Sequence, residues 1–221
     1  MIRKSTIDFL TNLKKNNNRD WFEKNKEKYL AAKENIEELT DELIATISSF
    51  DKSIAGLTHK DCVFRIYRDV RFSKNKDPYK TNMGASINSG GRKAMTAGYY
   101  IHIEPSKSFL AGGVWMPPSD QLKKIRQEID YNGKKIHKIL DDKAFKKYFG
   151  GLDESEGYML ARPPKGFDKN HPDVELLKFT SYIVWHQYNK TEIGSKKFAG
   201  DVVKGAKLMK PLIDFLNEAI R

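Results

Sequence analysis

The chain has 221 residues, 39% of them hydrophobic, 11% aromatic and 31% charged, with a formal net charge of +11. A chain of this length buries a core without disulfides or a structural metal, and its apolar share excludes wholesale disorder. The one cysteine, Cys62, has no partner for an internal bridge and opens an apolar run, which predicts a buried thiol and a reducing, cytoplasmic setting.

The N-terminal MIRKSTIDFLTNLKK lacks the unbroken apolar stretch of a secretory signal, and no window approaches the roughly 20 apolar residues of a membrane span. The positive charge is mostly lysine, 31 against 9 arginines, spread over 134–147 and 190–210 as on solvated helix faces. Three of the nine arginines fall within seven residues, in RIYRDVRF. Arginine is the more specific reader of phosphate and carboxylate, because its planar fork makes two parallel hydrogen bonds.

Ser5 and Asp8 have capping spacing, and Ile7, Leu10 and Leu13 share one helical face, so a first helix is expected up to Asn16–Asn18. Asn18 then caps a long amphipathic helix in which Phe22, Tyr29, Ile36, Leu39, Leu43, Ile47 and Phe50 recur at spacings of three, four and seven. From Cys62 the period changes. CVFRIYRDVRF, NMGASIN, GYYIHIE and SFLAGGVWM read as strands joined by hairpin-length turns, which favours antiparallel pairing.

PPSD opens a helix carrying Leu122, Ile125 and Ile129, with another expected from about Gly133 to Leu140. After GYMLAR and the turn-rich PPKGFDKNHPD, a short helix is expected from Pro172. FTSYIVWHQYN reads as a last strand, and 195–221 as a closing helix that Pro211 kinks or divides. The expectation is an α+β fold: a mainly antiparallel sheet packed against a long N-terminal helix and C-terminal helices. It forms one domain over 1–221, helical at 1–50, sheet-rich at 60–117 and mixed at 118–221.

Side chains alternate along a strand, so pairing from Val63 to Phe72 puts Arg65, Tyr67, Asp69 and Arg71 on one face and leaves Arg68 on the apolar one unless a bulge intervenes. The same parity groups Tyr100, His102 and Glu104, and in the last strand Thr180, Tyr182, His186 and Tyr188. If these faces coincide, they make a basic, hydrogen-bonding surface for an anionic ligand, with Trp115 as a wall. The expected ligand-binding set is Arg65, Tyr67, Asp69, Arg71, Tyr100, His102, Trp115 and His186. The plainer alternative is a solvated face with cross-strand ion pairs.

The blocks FLTNLKKNNNRDWFEKNKEKY, RIYRDVRFSKNKDPYKTNMGA, YYIHIEP, GGVWMPP and PPKGFDKNHP with the following LLKF resemble an uncharacterised bacterial family catalogued as domain of unknown function 2461. The resemblance runs over nearly the whole chain and brings no activity, cofactor or catalytic residue. It implies that Arg65, Arg68, Asp69, Arg71, Phe72, Lys76, Pro78, Tyr79 and Lys80 lie in the family's most distinctive segment. Asn75 stands where an aspartate is expected in many relatives.

Other chemistry is thinly supported. There is no G-x-x-x-x-G-K-[ST] or G-x-G-x-x-G loop and no G-x-S-x-G elbow, so no cofactor is expected. His102 and Glu104 lack the spacing of a metal set, and none is expected. Were there catalysis, His102 or His186 would be its general acid or base. The expected function is binding of a small anionic, phosphate- or carboxylate-bearing ligand on the polar face. The alternatives are non-specific nucleic-acid binding through the lysine-rich exterior, with Tyr79, Tyr99 or Tyr100 stacking on bases, and a structural or partner-binding role.

Overall fold

The computed structural model describes residues 1–221. The N-terminal third is helical: α1 (Lys4–Lys15), α2 (Arg19–Lys24), α3 (Lys26–Ile47) and a single turn, α4 (His59–Cys62). A four-stranded antiparallel sheet follows, β1 (Met83–Asn88), β2 (Gly98–Ile103), β3 (Ser108–Val114) and, after a helical excursion, β4 (Tyr182–Tyr188), in the order β1-β2-β3-β4. The excursion holds α5 (Ser119–Leu140), α6 (Lys143–Phe149) and α7 (Val174–Leu177); α8 (Lys190–Ile193) and α9 (Phe198–Ile220) close the chain. The architecture is α+β, with an antiparallel sheet and helices at both termini.

Local chemistry accounts for some boundaries, though α1 starts at Lys4 without the cap expected from Ser5. Asn18 does cap α2, its side chain accepting from the Trp21 amide at 2.9 Å. The long helix expected from Asn18 breaks at Asn25 (φ −115°, ψ 21°), and the portion beyond it is α3. Asn35, inside α3, ties the N-terminus down: its Oδ1 accepts from Arg3 N at 2.8 Å and Thr6 Oγ1 at 2.9 Å. The two helices expected at 119–140 meet at Asn132, whose non-helical backbone (φ −126°, ψ 34°) kinks α5 just before Gly133. Pro211 lies inside a continuous α9 and does not divide it.

A cluster of 44 buried hydrophobic residues gathers α1, α3, α9 and one face of the sheet. On that face Tyr99, Ile101, Leu110, Tyr182, Val184 and Tyr188 are buried. Helix α9 crosses β3 closely because Gly112 has no side chain where Met209 Sδ lies. No helix is long and apolar enough to cross a membrane.

One expected strand is absent. Val63 makes a single bridge to Ala85, and Phe64 N donates to Gly84 O at 3.0 Å, but from Ile66 the chain leaves the sheet. Residues 66–80 fold back on themselves as a finger, with a Tyr67–Tyr79 bridge, Arg68 N donating to Pro78 O and Lys80 N to Ile66 O. The alternation that suggested a strand is real, but beyond Ile66 its apolar side is only partly covered at Val70, and Phe72 at the tip is 95% exposed. Asp69, Asn75, Asp77 and Pro78 supply turn chemistry instead. The base of the finger is anchored by Tyr79 stacking on Phe22, ring centroids 3.9 Å apart, and by Asn17 pairing with both backbone groups of Tyr79.

Candidate functional site

The helices cover one face of the sheet, and the other face is the floor of a cavity of about 1190 Å³. Strand register arranges this floor in three rows. Gly84, His102, Phe109 and Gln187 form the first, Ser86, Tyr100, Ala111 and Trp185 the second, and Asn88, Gly98, Gly113 and Ile183 the third. Small residues in the second and third rows hollow out the floor, while Phe64, Trp115, Tyr158 and Trp185 contribute aromatic walls. Gly84 is required: a Cβ there would lie 2.8 Å from Tyr100 Oη and 2.9 Å from Ile101 O.

A hydrogen-bonded chain runs along β2. Tyr100 Oη is 3.0 Å from His102 Nδ1, His102 Nε2 is 3.4 Å from Glu104 Oε2, and Lys14 approaches Glu104 Oε1 at 3.6 Å. The phenol has the proton to give, so Nδ1 accepts and Nε2 carries the imidazole proton toward Glu104. The His102 ring stacks on Phe109 at 4.6 Å. Burial pushes the Tyr100 phenol up to about 12. Burial also holds His102 below its ordinary value, outweighing the opposite pull of Glu104.

Beyond the first row stand two cations, Lys80 and Lys107, and neither has a carboxylate partner. Lys80 lies 5.3 Å over the Phe64 ring, and burial, with the nearby Arg65 charge, lowers its affinity for a proton. At the other end stand one charge of each sign: Arg92, which bonds the Lys60 carbonyl, and Asp153, whose Oδ1 accepts from Ser155 N and Oγ. Trp115 Nε1 donates to Tyr158 Oη at 2.9 Å, fixing the indole beside the third row.

Of the residues expected from sequence to bind a ligand, Tyr100, His102 and Trp115 line this cavity. Arg65 lines a separate pocket of about 280 Å³ between α3, α4 and the start of the finger, which shares Phe64 and Arg92 with the larger one. Tyr67, Asp69 and Arg71 are on the finger and line neither. Tyr67 packs near Phe22 and Tyr79, and Arg71 spends its fork on Asp69 at 2.9 and 2.6 Å, an exposed local pair. The sheet face assigned to these four does not exist, because the finger replaces the strand.

His186 shares a face with Tyr182 and Tyr188 as the parity implies, but it is the opposite, helix-covered face. There it stacks on Tyr148 at 4.1 Å and bonds the Tyr148 carbonyl at 3.0 Å. No group of three or more His, Cys, Asp or Glu side chains is gathered as a metal would need.

Sequence reasoning missed Lys80, Lys107, Phe109, Trp185 and Gln121. Lys80 lies in the distinctive block, overshadowed by the arginines. Phe109 and Trp185 follow from parity once β3 and β4 are paired in register, which the sequence does not state.

No curated protein and no solved structure matches this chain. The family described as Conserved hypothetical protein (DUF2461) matches residues 5–215. Its match spans nearly the whole chain, and the protein belongs to this family.

Proposed function

We propose that the cavity on the uncovered sheet face binds a small anionic ligand bearing phosphate or carboxylate, with its charge against Lys80 and Lys107. The observation that carries this reading is the pair of cations without carboxylate partners at one end of a deep aromatic-walled cavity. Lys80 is partly removed from water without a counter-ion, a cost that a bound anion removes, while Lys107 is exposed and adds its charge at the same end. Arg65, close enough to Lys80 to perturb it, adds to the positive field at the rim. The Tyr100–His102–Glu104 chain offers hydrogen bonds beneath the ligand.

The test is a thermal-shift and calorimetric screen with phosphate, sulfate, dicarboxylates and nucleotides, on the parent and on a Lys80→Ala/Lys107→Ala variant. The parent shifts with at least one anion and the double variant loses that shift while melting as the parent does without ligand. Equal shifts in both proteins would refute the assignment.

A further inference from the structure

An antiparallel sheet left open on one side ordinarily shows polar side chains to water. On β1 and β2 the cavity floor follows that rule, with Ser86, Tyr100 and His102. On β3 and β4 it does not. Apart from Gln187, the floor there is Phe109, Ala111, Ile183 and Trp185, and the strip runs on into Trp115 and Met116.

Ten large apolar side chains are exposed on the whole molecule, and four of them, Met95, Trp115, Met116 and Trp185, line this one cavity. Apolar surface concentrated in this way marks a binding groove, whereas scattered single residues do not. Two of the four are held in place by more than packing. Met116 is the one non-glycine residue with positive φ, 46°, a conformation that side chains with a Cβ rarely adopt. Ser181 Oγ accepts from Met116 N at 2.9 Å, and Tyr158 Oη accepts from the Trp115 indole. Backbone strain persists where its surroundings over-determine it, and such positions cluster at ligand sites.

The strip begins at the cations: Lys107 stands two residues before Phe109, in the turn into β3, and Lys80 lines the same end. From the first row to the third is four residues of strand, about 13 Å. Inorganic phosphate or a short dicarboxylate occupies the charged end and leaves the strip wet.

We propose that the ligand is an acyl-chain anion, a carboxylate or phosphate carrying a flexible alkyl chain, an inference that rests on the anion-binding reading above. The head pairs with Lys80 and Lys107, and the chain lies along β3 and β4 toward Trp115 and Met116. A compact ring cannot touch both the cations and the third row. Two methionines, unbranched and adaptable, suit the mobile end of a chain.

The test is calorimetric titration of the full chain with butyrate, hexanoate, octanoate, decanoate and decyl phosphate, all below their micelle thresholds. Inorganic phosphate, 2-naphthoate, adenosine monophosphate, octanol and octyltrimethylammonium are the comparisons. Affinity rises about two- to fourfold per added CH2, and decanoate or decyl phosphate binds at least tenfold more tightly than phosphate, naphthoate or the nucleotide. Met116→Gly suits the positive φ and melts no lower than the parent, yet weakens decanoate about threefold or more and leaves phosphate unchanged. Trp185→Thr, which keeps a strand-forming residue at an exposed position, does the same once parental melting is checked.

If decanoate binds no more tightly than butyrate or phosphate and depends on Lys80, or if naphthoate or the nucleotide binds more tightly than decanoate, the acyl-chain inference falls and the anion reading stands. If octanol and octyltrimethylammonium bind as well as octanoate, or nothing binds, both fall.

Discussion

Tyr100 and His102, two residues apart on β2, meet through a 3.0 Å bond from the phenol to ring Nδ1, so the same strand that floors the cavity also fixes the tautomer of its histidine. Because burial holds the native His102 below its ordinary value of 6.5, the unfolded chain takes up the proton first as pH falls. The stability tied to neutral His102 is therefore complete above about 6.5, declines as pH drops through that value, and levels off below the lowered native one. Urea unfolding at pH 7.5 and 5.0 reads this out. The parent loses more stability between the two than His102→Gln does, and equal losses would contradict a buried neutral imidazole.

Tyr99, on the opposite face of the same strand, donates to Asp51 Oδ2 at 2.9 Å. Asp51 is 2% exposed, its other oxygen taken by Ser53 N and Oγ at 3.1 and 2.7 Å. Burial, and then the Asp51 charge, drive the phenol far above its ordinary range. Tyr99→Phe removes one charge-assisted bond from a buried carboxylate and is expected to cost about 2 kcal/mol in urea unfolding. A cost below about 0.5 kcal/mol would mean that the bond contributes no more than an average surface substitution.

The finger's geometry ranks Arg68 above Arg65. Arg68 Nη1 reaches Asp77 O at 3.2 Å and Nη2 reaches Ser73 Oγ at 3.3 Å, so one side chain clasps both limbs. Arg65 makes no ion pair and is exposed. Arg68→Ala should cost about 1 kcal/mol and speed amide exchange at 70–77, whereas Arg65→Ala stays within about 0.5 kcal/mol. The reverse order in urea unfolding and exchange would contradict the clasp.

How far the fold is legible in the sequence depends on what each pattern is coupled to. The strands β1 to β4 were readable because Val, Ile, Tyr and Phe alternate between short turns, and α3 because Ile36, Leu39, Leu43 and Ile47 keep the helical period. The 66–72 segment shows equally good alternation, but alternation reports only that a strand would be amphipathic. Whether a neighbour exists to cover Val70 and Phe72 is a tertiary fact. For the site, parity within β2 grouped Tyr100 with His102, yet parity within β4 could not say which face helices cover. His186 consequently lies across the sheet from His102. Lys80 and Lys107 were invisible as a pair because they are 27 residues apart and come to one cavity only through the β1–β2 and β2–β3 pairings.

Cys62 is fully buried, and burial pushes its thiol up to about 11. A thiol so little ionised near neutrality reacts slowly. Native protein at pH 7.5 should resist iodoacetamide and be alkylated at Cys62 once unfolded in urea; fast labelling of the native chain would place the thiol at the surface.

The most direct test is a crystal structure of the protein grown with a phosphate-bearing ligand from the screen. The account predicts density on the uncovered sheet face, with phosphate oxygens within hydrogen-bonding distance of Lys80 Nζ and Lys107 Nζ and the remainder of the ligand over Tyr100 and Ala111. Ligand density confined to the Arg65–His59 pocket or to the finger, with this floor empty at saturating ligand, would contradict it.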